Sequence, residues 1–352
     1  MNFIIAFYVH HHGSGHLMRA LAIARHLSNH RVFLMGSALN IDQSSLDSHI
    51  ELIELPVDTP QHSDHDYSEG TSVDGLHYAP LNITGIKERS AIMTDFFVQN
   101  PRMILIVDVS VEVTLLARLC GIPTIVMRQH GLRIDLPHCL AYQSASLLIA
   151  PFDAALETTT SSWIQEKTFY SGGFSRFPKT NQEVKEATTK RICILTGTGG
   201  SSLDLKAITL IAEQCPVLEF HVLGKITGME TRQLSNLTFH GHLHEIEDIL
   251  NNCGLVIGNT GHNTVMEISS LNKRFIGIPE HRPFDEQLDK ANVLNGIPGF
   301  KCVRPENIST TDWQAIISDL MKNPSSLSSL IDENALPILA KKICAVGGNL
   351  YH

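Results

Sequence analysis

Residues 255–267 read Leu-Val-Ile-Gly-Asn-Thr-Gly-His-Asn-Thr-Val-Met-Glu, an apolar strand that runs through a polar corner into a helix. A second strand ends at Ile278-Pro279, and the corner after it, residues 280–287, reads Glu-His-Arg-Pro-Phe-Asp-Glu-Gln. Two successive strand-to-helix corners therefore carry small, polar and acidic groups. This pattern is typical of doubly wound α/β folds, in which ligands bind at the carboxyl ends of the strands.

The polar residues of these two corners are candidate contacts for a nucleotide that carries a sugar. Glu267 lies one turn into the helix, where a carboxylate can accept hydrogen bonds from both hydroxyls of a ribose. Asn263 and Thr264 lie at the helix start and can meet phosphate. Asp285 and Gln287 can reach the hydroxyls of a sugar, although Asp285 is equally well placed to cap the helix that follows it.

Apolar runs alternate with helix-period segments along the whole chain, which indicates parallel sheets with crossover helices. In the first half we predict strands at 2–9, 31–36, 50–55, 103–107, 123–127 and 146–150, and helices at 16–29, 82–99, 110–120 and 137–144. In the second half we predict strands at 191–196, 217–223, 236–240, 254–258, 274–278 and 300–303, and helices at 202–214, 244–251, 262–271, 284–294 and 310–322.

The chain loses its periodicity over residues 171–189, which therefore form the best candidate linker. We predict an N-terminal acceptor-binding domain over 1–170 and a C-terminal nucleotide-sugar-binding domain over 190–333. The last segment, 334–352, contains a helix that we expect to return to the N-terminal domain.

A glycine-rich corner, residues 196–202, follows the strand at 191–195 and opens a helix. The main-chain N–H groups of Gly199 and Gly200 and the hydroxyl of Ser201 can cradle a pyrophosphate there. The corner lacks the Gly-Lys-[Ser/Thr] ending of a P-loop, which argues against ATP hydrolysis. We predict that it binds phosphate and is more than a structural turn.

A third corner, residues 12–16, reads His-Gly-Ser-Gly-His and joins the first strand to an amphipathic helix. Its glycines allow the backbone to approach a ligand, and the helix start suits an anion or a reacting hydroxyl. We therefore place Gly13, Ser14 and Gly15 among the acceptor contacts. Met18 stands where a nicotinamide-binding motif has its third glycine, so a dehydrogenase is disfavoured.

Two residues are candidates for a general base. His16 is preferred because imidazole titrates near neutral pH and the corner opens on the expected interdomain cleft, with capping of the helix as the structural alternative. Asp108, directly after the strand at 103–107, is the second candidate. We predict no metal site, because the adjacent histidines at 10–12 point to alternate faces and the His/Asp cluster at 62–66 is weak.

The remaining acceptor candidates follow the strand at 123–127. Arg128, His130 and Arg133 lie in a polar loop whose start should face the cleft, and such loops are rarely pure connections. The two arginines can bind an acidic acceptor or pair with neighbouring carboxylates, and the sequence does not separate these alternatives.

Composition excludes several classes of protein. The net charge of −9 and the lack of a basic stripe argue against nucleic-acid binding. Seven scattered cysteines, a first segment without a signal-peptide pattern and no run of 18 apolar residues indicate a cytoplasmic protein without a membrane span. Peripheral contact with the inner face of the membrane stays open.

The corner ending in His16, the turn at 199–201 and the block from Gly258 to Asn292 resemble glycosyltransferase family 28 and its MurG-like relatives, most extensively over 240–295. The resemblance implies a bacterial, metal-independent, inverting enzyme of the GT-B fold, in which two Rossmann-like domains face each other across a cleft. It implies a UDP-sugar donor, no further cofactor, and an acceptor that is a small molecule, a lipid-linked glycan or a polymer.

The resemblance also implies roles for single residues. His16 lies near the reacting acceptor, Ser201 meets the diphosphate, Glu267 holds the ribose, and Asp285 with Gln287 faces the donor sugar. His262 belongs to a stretch where relatives vary, and we expect it to meet the diphosphate.

We therefore predict an inverting glycosyltransferase that moves a hexose or an N-acetylhexosamine from a UDP-sugar to a hydroxyl. The nearest alternatives are a nucleotide-sugar hydrolase of the PseG type and a nonhydrolysing epimerase, which share the architecture. A non-catalytic nucleotide-sugar sensor is a third alternative, from a different class.

Overall fold

Two parallel β-sheets, one in each half of the chain, set the positions of the other elements. The computed structural model describes residues 3–11, 15–67, 73–159, 161–180, 190–197, 200–226, 234–243 and 245–351. Over these residues strands alternate with helices, and both sheets are parallel throughout. The chain therefore contains two Rossmann-like doubly wound units, as the sequence predicts.

The first sheet has seven strands in the order β3-β2-β1-β4-β5-β6-β7. They are β1 (Ile4–Val9), β2 (Val32–Gly36), β3 (Ile50–Glu54), β4 (Met103–Asp108), β5 (Thr124–Met127), β6 (Leu147–Ala150) and β7 (Thr168–Tyr170). Strand order reverses between β1 and β4, where Val9 lies beside Asp108. A ligand crevice is expected at such a reversal.

The helices of this half are α1 (Gly15–Ala24), α2 (Thr84–Gln99), α3 (Val111–Leu119), α4 (Leu136–Ser144) and α5 (Ser162–Lys167). The sequence predicts neither α5 nor β7, because elements this short show no clear period. It predicts a first helix that ends at residue 29, whereas α1 ends at Ala24. After Ala24 the chain tightens into i→i+3 hydrogen bonds, from His26 N to Ile23 O and from Leu27 N to Ala24 O, which end the helix.

The second sheet has six strands in the order β10-β9-β8-β11-β12-β13. They are β8 (Arg191–Leu195), β9 (Glu219–Leu223), β10 (Leu237–Gly241), β11 (Leu255–Asn259), β12 (Arg274–Ile278) and β13 (Phe300–Cys302). The helices around it are α6 (Leu205–Gln214), α7 (Glu247–Asn251), α8 (His262–Ser270), α9 (Glu286–Leu294) and α10 (Trp313–Met321). Helix α6 begins later than predicted, because the side chain of Asp204 accepts from Ala207 N and caps it.

The last helix, α11 (Ala335–Leu350), packs on the N-terminal half. Its apolar residues Leu339 and Ile343 belong to the same buried cluster as Phe3 and the inner face of α1. A side chain at Gly347 would lie 2.2 Å from the Phe3 ring, so this close approach needs a glycine. The chain thus crosses from the second unit back to the first and links the two.

Candidate active site

The helix starts at the carboxyl ends of the two sheets meet between the two halves of the chain. Helix α1 follows β1, and helix α8 follows β11. The side-chain Nδ2 of Asn263, in the first turn of α8, donates to the carbonyl oxygen of Gly15 at 2.9 Å. Two helix N-termini, each a source of positive potential, therefore face one another across the cleft.

A histidine, an aspartate and an arginine form a buried cluster at the start of α1. His16 Nδ1 lies 3.2 Å from Asp108 Oδ2. Arg19, one turn further along α1, donates from Nη2 to both oxygens of Asp108 at 2.7 Å and from Nε at 3.0 Å. Asp108 and Arg19 are only 3% and 4% exposed. The ring of His16 is thus held by a carboxylate that is itself fixed.

The same contacts decide the role of Asp108. Burial acts to raise the pKa of this carboxyl, but the charges of Arg19 and His16 outweigh burial and hold the pKa well below its usual range. A carboxylate this acidic is a poor proton acceptor at neutral pH. Asp108 thus has the geometry of a group that orients His16, and its alternative role as the general base stays a prediction.

The start of α8 has no side-chain cap. The Oδ1 of Asn259, at the end of β11, accepts from Gly261 N at 2.9 Å and from the Thr264 hydroxyl at 3.3 Å. These bonds turn Thr264 towards Asn259, while the amides of the first helical turn are left for a ligand. An uncapped helix start of this kind suits a phosphate group.

Beside this terminus lies a small pocket that both halves of the chain line. Its walls include Arg19 of α1, Arg176 of the segment between the sheets, and His262, Asn263 and Glu267 of α8. Glu267 thus faces the interdomain space, where its predicted ribose would lie. Its carboxylate accepts from Arg176 Nε at 2.7 Å. Burial raises the pKa of Glu267, and Arg176 opposes that shift.

The glycine-rich corner contacts a carboxylate from another corner. Gly199 lies outside the described residues, and Gly200 has a positive φ of 90°. The carboxylate of Glu280 accepts from the Ser201 hydroxyl at 3.3 Å and from Ser202 N at 2.6 Å. A carboxylate therefore already occupies these donors. The sequence does not predict this contact, because Ser201 and Glu280 are 79 positions apart. The role of Ser201 at the diphosphate stays a prediction.

The two residues predicted to face the donor sugar have different surroundings. Asp285 is exposed in the left-handed conformation (φ 52°), next to Phe284 with φ 64°, and its side chain makes no capping hydrogen bond. The capping alternative is thus not observed. Gln287 is 6% exposed, and its Oε1 accepts from Glu280 N at 3.0 Å. Strained backbone at a cleft is a frequent feature of ligand sites.

The predicted acceptor contacts separate into three groups. Gly13 and Ser14 lie outside the described residues, whereas Gly15 meets α8 as described above. Arg128 and His130 are buried at 4% and 2% exposure, so their prediction as acceptor contacts is not supported. Arg128 forms a double hydrogen bond with Glu157, at 2.6 and 3.1 Å, which selects the ion-pair alternative.

His130 and Arg133 are likewise held by protein groups. His130 Nε2 lies 3.1 Å from the carbonyl oxygen of Leu156, and burial lowers the pKa of this histidine well below its usual value. Arg133 reaches across the cleft, where its Nη2 donates to Glu286 at 3.2 Å and its guanidinium lies over the ring of Phe284. Arg133 therefore joins the two halves of the chain.

Sequence reasoning missed several residues of the cleft, above all Arg19, Arg176 and Lys290. Arg19 follows His16 by one helical turn, which was the available signal. Lys290 is 2% exposed, with its Nζ 2.8 Å from His262 Nδ1. Nothing in the sequence around a lysine of an amphipathic helix shows that it points inward.

Two features are absent from the described part of the chain. Within it, no three His, Cys, Asp or Glu side chains lie together as a metal site would require. None of its helices combines the length and the apolar run needed to cross a bilayer.

Comparison with known proteins gives one family and one fold. Residues 191–343 match the glycosyltransferase family 28 C-terminal domain. No curated protein matches the chain.

Among solved structures, MurG of Acinetobacter baumannii is 16% identical with a TM-score of 0.61, over 98% of this chain and 100% of that one. A UDP-glucosyltransferase from Polygonum tinctorium that glucosylates indoxyl is 12% identical with a TM-score of 0.66, over 99% of both chains. The spinosyn rhamnosyltransferase SpnG, in complex with thymidine diphosphate, is 16% identical with a TM-score of 0.61, over 99% of this chain and 96% of that one. At such identities these structures establish the fold alone.

The family match covers the second sheet and its helices, and the fold comparison covers both halves of the chain and the cleft between them. Residues 191–343 of this protein carry the match to the glycosyltransferase family 28 C-terminal domain, and the whole chain has the two-domain GT-B fold.

Proposed function

We propose that the enzyme transfers a hexose or an N-acetylhexosamine from a UDP-sugar to a hydroxyl group and inverts the anomeric carbon. The observation that carries this proposal is the His16–Asp108 pair at the start of α1, which faces the uncapped start of α8. A base and an anion site on opposite walls of one cleft are what a single displacement with an anionic leaving group requires.

The geometry supports His16 as the base. An arginine only donates hydrogen bonds, and Arg19 already donates to both oxygens of Asp108. His16 Nδ1 lies 3.2 Å from Asp108 Oδ2 and 3.1 Å from Arg19 Nη2. Because this guanidinium group already donates to the carboxylate, we place the Nδ1 proton towards Asp108 Oδ2, which leaves the lone pair on Nε2. In the proposed step Nε2 takes the acceptor's proton, the acceptor oxygen attacks the anomeric carbon, and the bond to the diphosphate oxygen breaks with its electron pair.

We propose that the leaving diphosphate is stabilised by the start of α8, with no divalent cation and no cofactor. The uncapped helix start offers N–H donors and a positive dipole end to the phosphate oxygens. Fixed donors at the position where charge develops lower the barrier in a cleft that excludes water.

The donor site is tested by a thermal-shift screen with nucleoside diphosphates and Glu267→Gln. We expect UDP at a hundred times its Kd to stabilise the wild type by about 2.7 kcal/mol. Loss of the charged hydrogen bonds to the ribose should weaken UDP binding about tenfold or more in Glu267→Gln.

Pyrophosphate, which lacks the ribose, should bind the wild type and Glu267→Gln equally well. Glu88→Gln, a matched change of an exposed glutamate on α2, should leave UDP binding unaltered. Equal UDP affinity in Glu267→Gln and the wild type would contradict the ribose contact.

The reaction is tested by incubating the enzyme with UDP-sugars, with and without acceptors, and following the anomeric configuration by NMR. We expect slow release of free sugar without acceptor and an inverted glycoside with it, at a rate that EDTA does not change. Fast stoichiometric hydrolysis without acceptor would favour the hydrolase instead. A product with retained configuration would contradict the single displacement.

We further propose that the acceptor carries an apolar group and that the enzyme works in the cytoplasm, at the inner face of the membrane when the acceptor is lipid-linked. Several apolar side chains are exposed in the N-terminal half: Val73 and Leu76 in one loop, Leu136 and Leu140 in α4. Gly75 lies against Leu140, which joins the two segments. Acceptors with and without an apolar group, compared in the same assay, test this preference.

A further inference from the structure

Lys290 is a fully buried lysine beside the cleft, and no carboxylate of the described residues is bonded to it. Its Nζ lies 2.8 Å from His262 Nδ1. The two nearest acidic groups on its own helix are engaged elsewhere: Glu286 pairs with Arg133, and Asp289 accepts from Gly131 N at 3.0 Å and from the Thr158 hydroxyl at 2.6 Å. A buried ammonium without a counter-ion is costly, so a ligand that supplies the negative charge would bind favourably there.

The contact with Lys290 also determines what His262 can do. While Lys290 is charged it carries donors only, so His262 Nδ1 accepts and the ring proton sits on Nε2. His262 is 7% exposed, and its Nε2 is buried without a hydrogen-bond partner among the described residues. A buried N–H that lacks an acceptor is costly, so a ligand oxygen that accepts from it would bind favourably.

The position of His262 shows which ligand fits. It is the first residue of α8, whose nine residues begin without a side-chain cap, and it lines the cavity between the two halves of the chain. The helix start and the unpartnered Nε2 are two independent donors for an anion.

We propose that Lys290 is a positioning residue for the diphosphate of the donor: its ammonium fixes His262 so that Nε2–H donates to a phosphate oxygen, and it supplies the positive charge behind that bond. This inference rests on the proposed function and adds to it a residue outside the direct contact with the ligand.

The charges around Lys290 make the site sensitive to pH. Burial lowers the pKa of Lys290 to about 7; Arg19 adds to this shift, whereas Glu286 and Asp289 oppose it. Burial and the charge of Lys290 hold the pKa of His262 well below its usual value, so this ring stays neutral. The other ionisable groups near this pair are His16 and Arg19 of α1, Asp108 at the end of β4, and His130 in the loop after β5.

Binding of a diphosphate should therefore take up a proton. Above pH 7 the lysine of the free enzyme loses its proton, and the bound anion raises the pKa of Lys290 again. The affinity for UDP should fall by up to about tenfold per pH unit above 7, until the pKa of the bound state is reached.

The test is calorimetric titration with UDP at pH 8 in buffers of different ionisation enthalpy, which measures proton uptake, for the wild type, Lys290→Met and Lys273→Met. Lys273 is a matched control: it is also buried, at 5% exposure, but its Nζ donates to the carbonyls of Asn251 and Cys253, away from the cleft. We expect uptake approaching one proton in the wild type and Lys273→Met. Lys290→Met should show none and bind UDP about 10- to 100-fold more weakly at pH 6.

The Tm of the variant distinguishes a role in positioning the ligand from a role in stabilising the fold. Removal of an uncompensated buried charge should leave the Tm of ligand-free Lys290→Met at pH 6 equal to that of the wild type or higher. A lower Tm combined with unchanged UDP affinity and proton uptake would overturn the inference. If Lys290→Met does not fold, proton uptake by the wild type still tests the inference. UDP binding to the wild type without proton uptake would overturn the inference as well. A wild type that binds none of UDP, dTDP, GDP, CDP and ADP would overturn the proposed function as well.

Discussion

His16→Ala should lower kcat by about 10²- to 10⁴-fold, the usual contribution of a general base, while the Kd of UDP changes little. The imidazole is the group held by Asp108 in the cleft, and its removal leaves the acceptor proton without a nearby base. In the proposed complex the donor binds chiefly to the other half of the chain, so its affinity should survive. Steady-state kinetics and UDP titration on the same preparation measure both effects.

His26→Ala is the matched control for this prediction. His26 is exposed just beyond the end of the same helix, so its loss should leave kcat unaltered. Asp108→Asn should also lower kcat, since an amide can hold the imidazole in the wrong tautomer. The assignment of His16 fails if His16→Ala keeps more than about a tenth of the wild-type kcat.

Arg128→Ala should lower the free energy of unfolding by about 3–5 kcal/mol, because it leaves the Glu157 carboxylate buried without its partner. The side chains of this pair are 5% and 8% exposed, and Tyr170 also donates to Glu157, at 2.5 Å. Urea unfolding followed by circular dichroism measures the change. The acceptor KM of the folded fraction should stay as in the wild type, since Arg128 does not reach the cleft.

Arg191→Ala provides the comparison, because its pair with Glu219 is 48% and 59% exposed and should be worth less than about 1 kcal/mol. The loss of unfolding free energy in Arg128→Ala should become smaller as the pH falls. Burial acts to raise the pKa of Glu157, but in the wild type Arg128 and Tyr170 outweigh burial and lower it. Without Arg128 the carboxyl should protonate at a higher pH and lose its uncompensated charge. A penalty below about 1 kcal/mol at pH 8 would contradict the structural role.

The strands agree best with the predictions made from the sequence. β4 and β11 are almost wholly buried and were recognised as continuous apolar runs between polar corners. Errors concentrate at element ends, as in α1 and α6, where single hydrogen bonds of the backbone or of Asp204 determine the boundary.

The predicted residues of the candidate site agree with the structure in some cases and not in others. His16 and Glu267 lie at the cleft as expected, since both belong to corners whose direction follows from the strand before them. Ser201 and Arg128 also follow strands, yet their partners are Glu280 and Glu157, which come from other loops. Local sequence patterns do not predict partners that are so far apart along the chain.

The sequence by itself determined that this protein has two parallel α/β units and a nucleotide-type corner in the second, because periodicity and corner composition are local properties. Only the tertiary structure decided which polar groups remain available for a ligand. Asp108 meets Arg19 from 89 positions away, and Lys290 meets His262 from 28 positions away. Burial and charge compensation depend on such non-local neighbours, and they turn one carboxylate into a support for His16 and one lysine into part of an anion site.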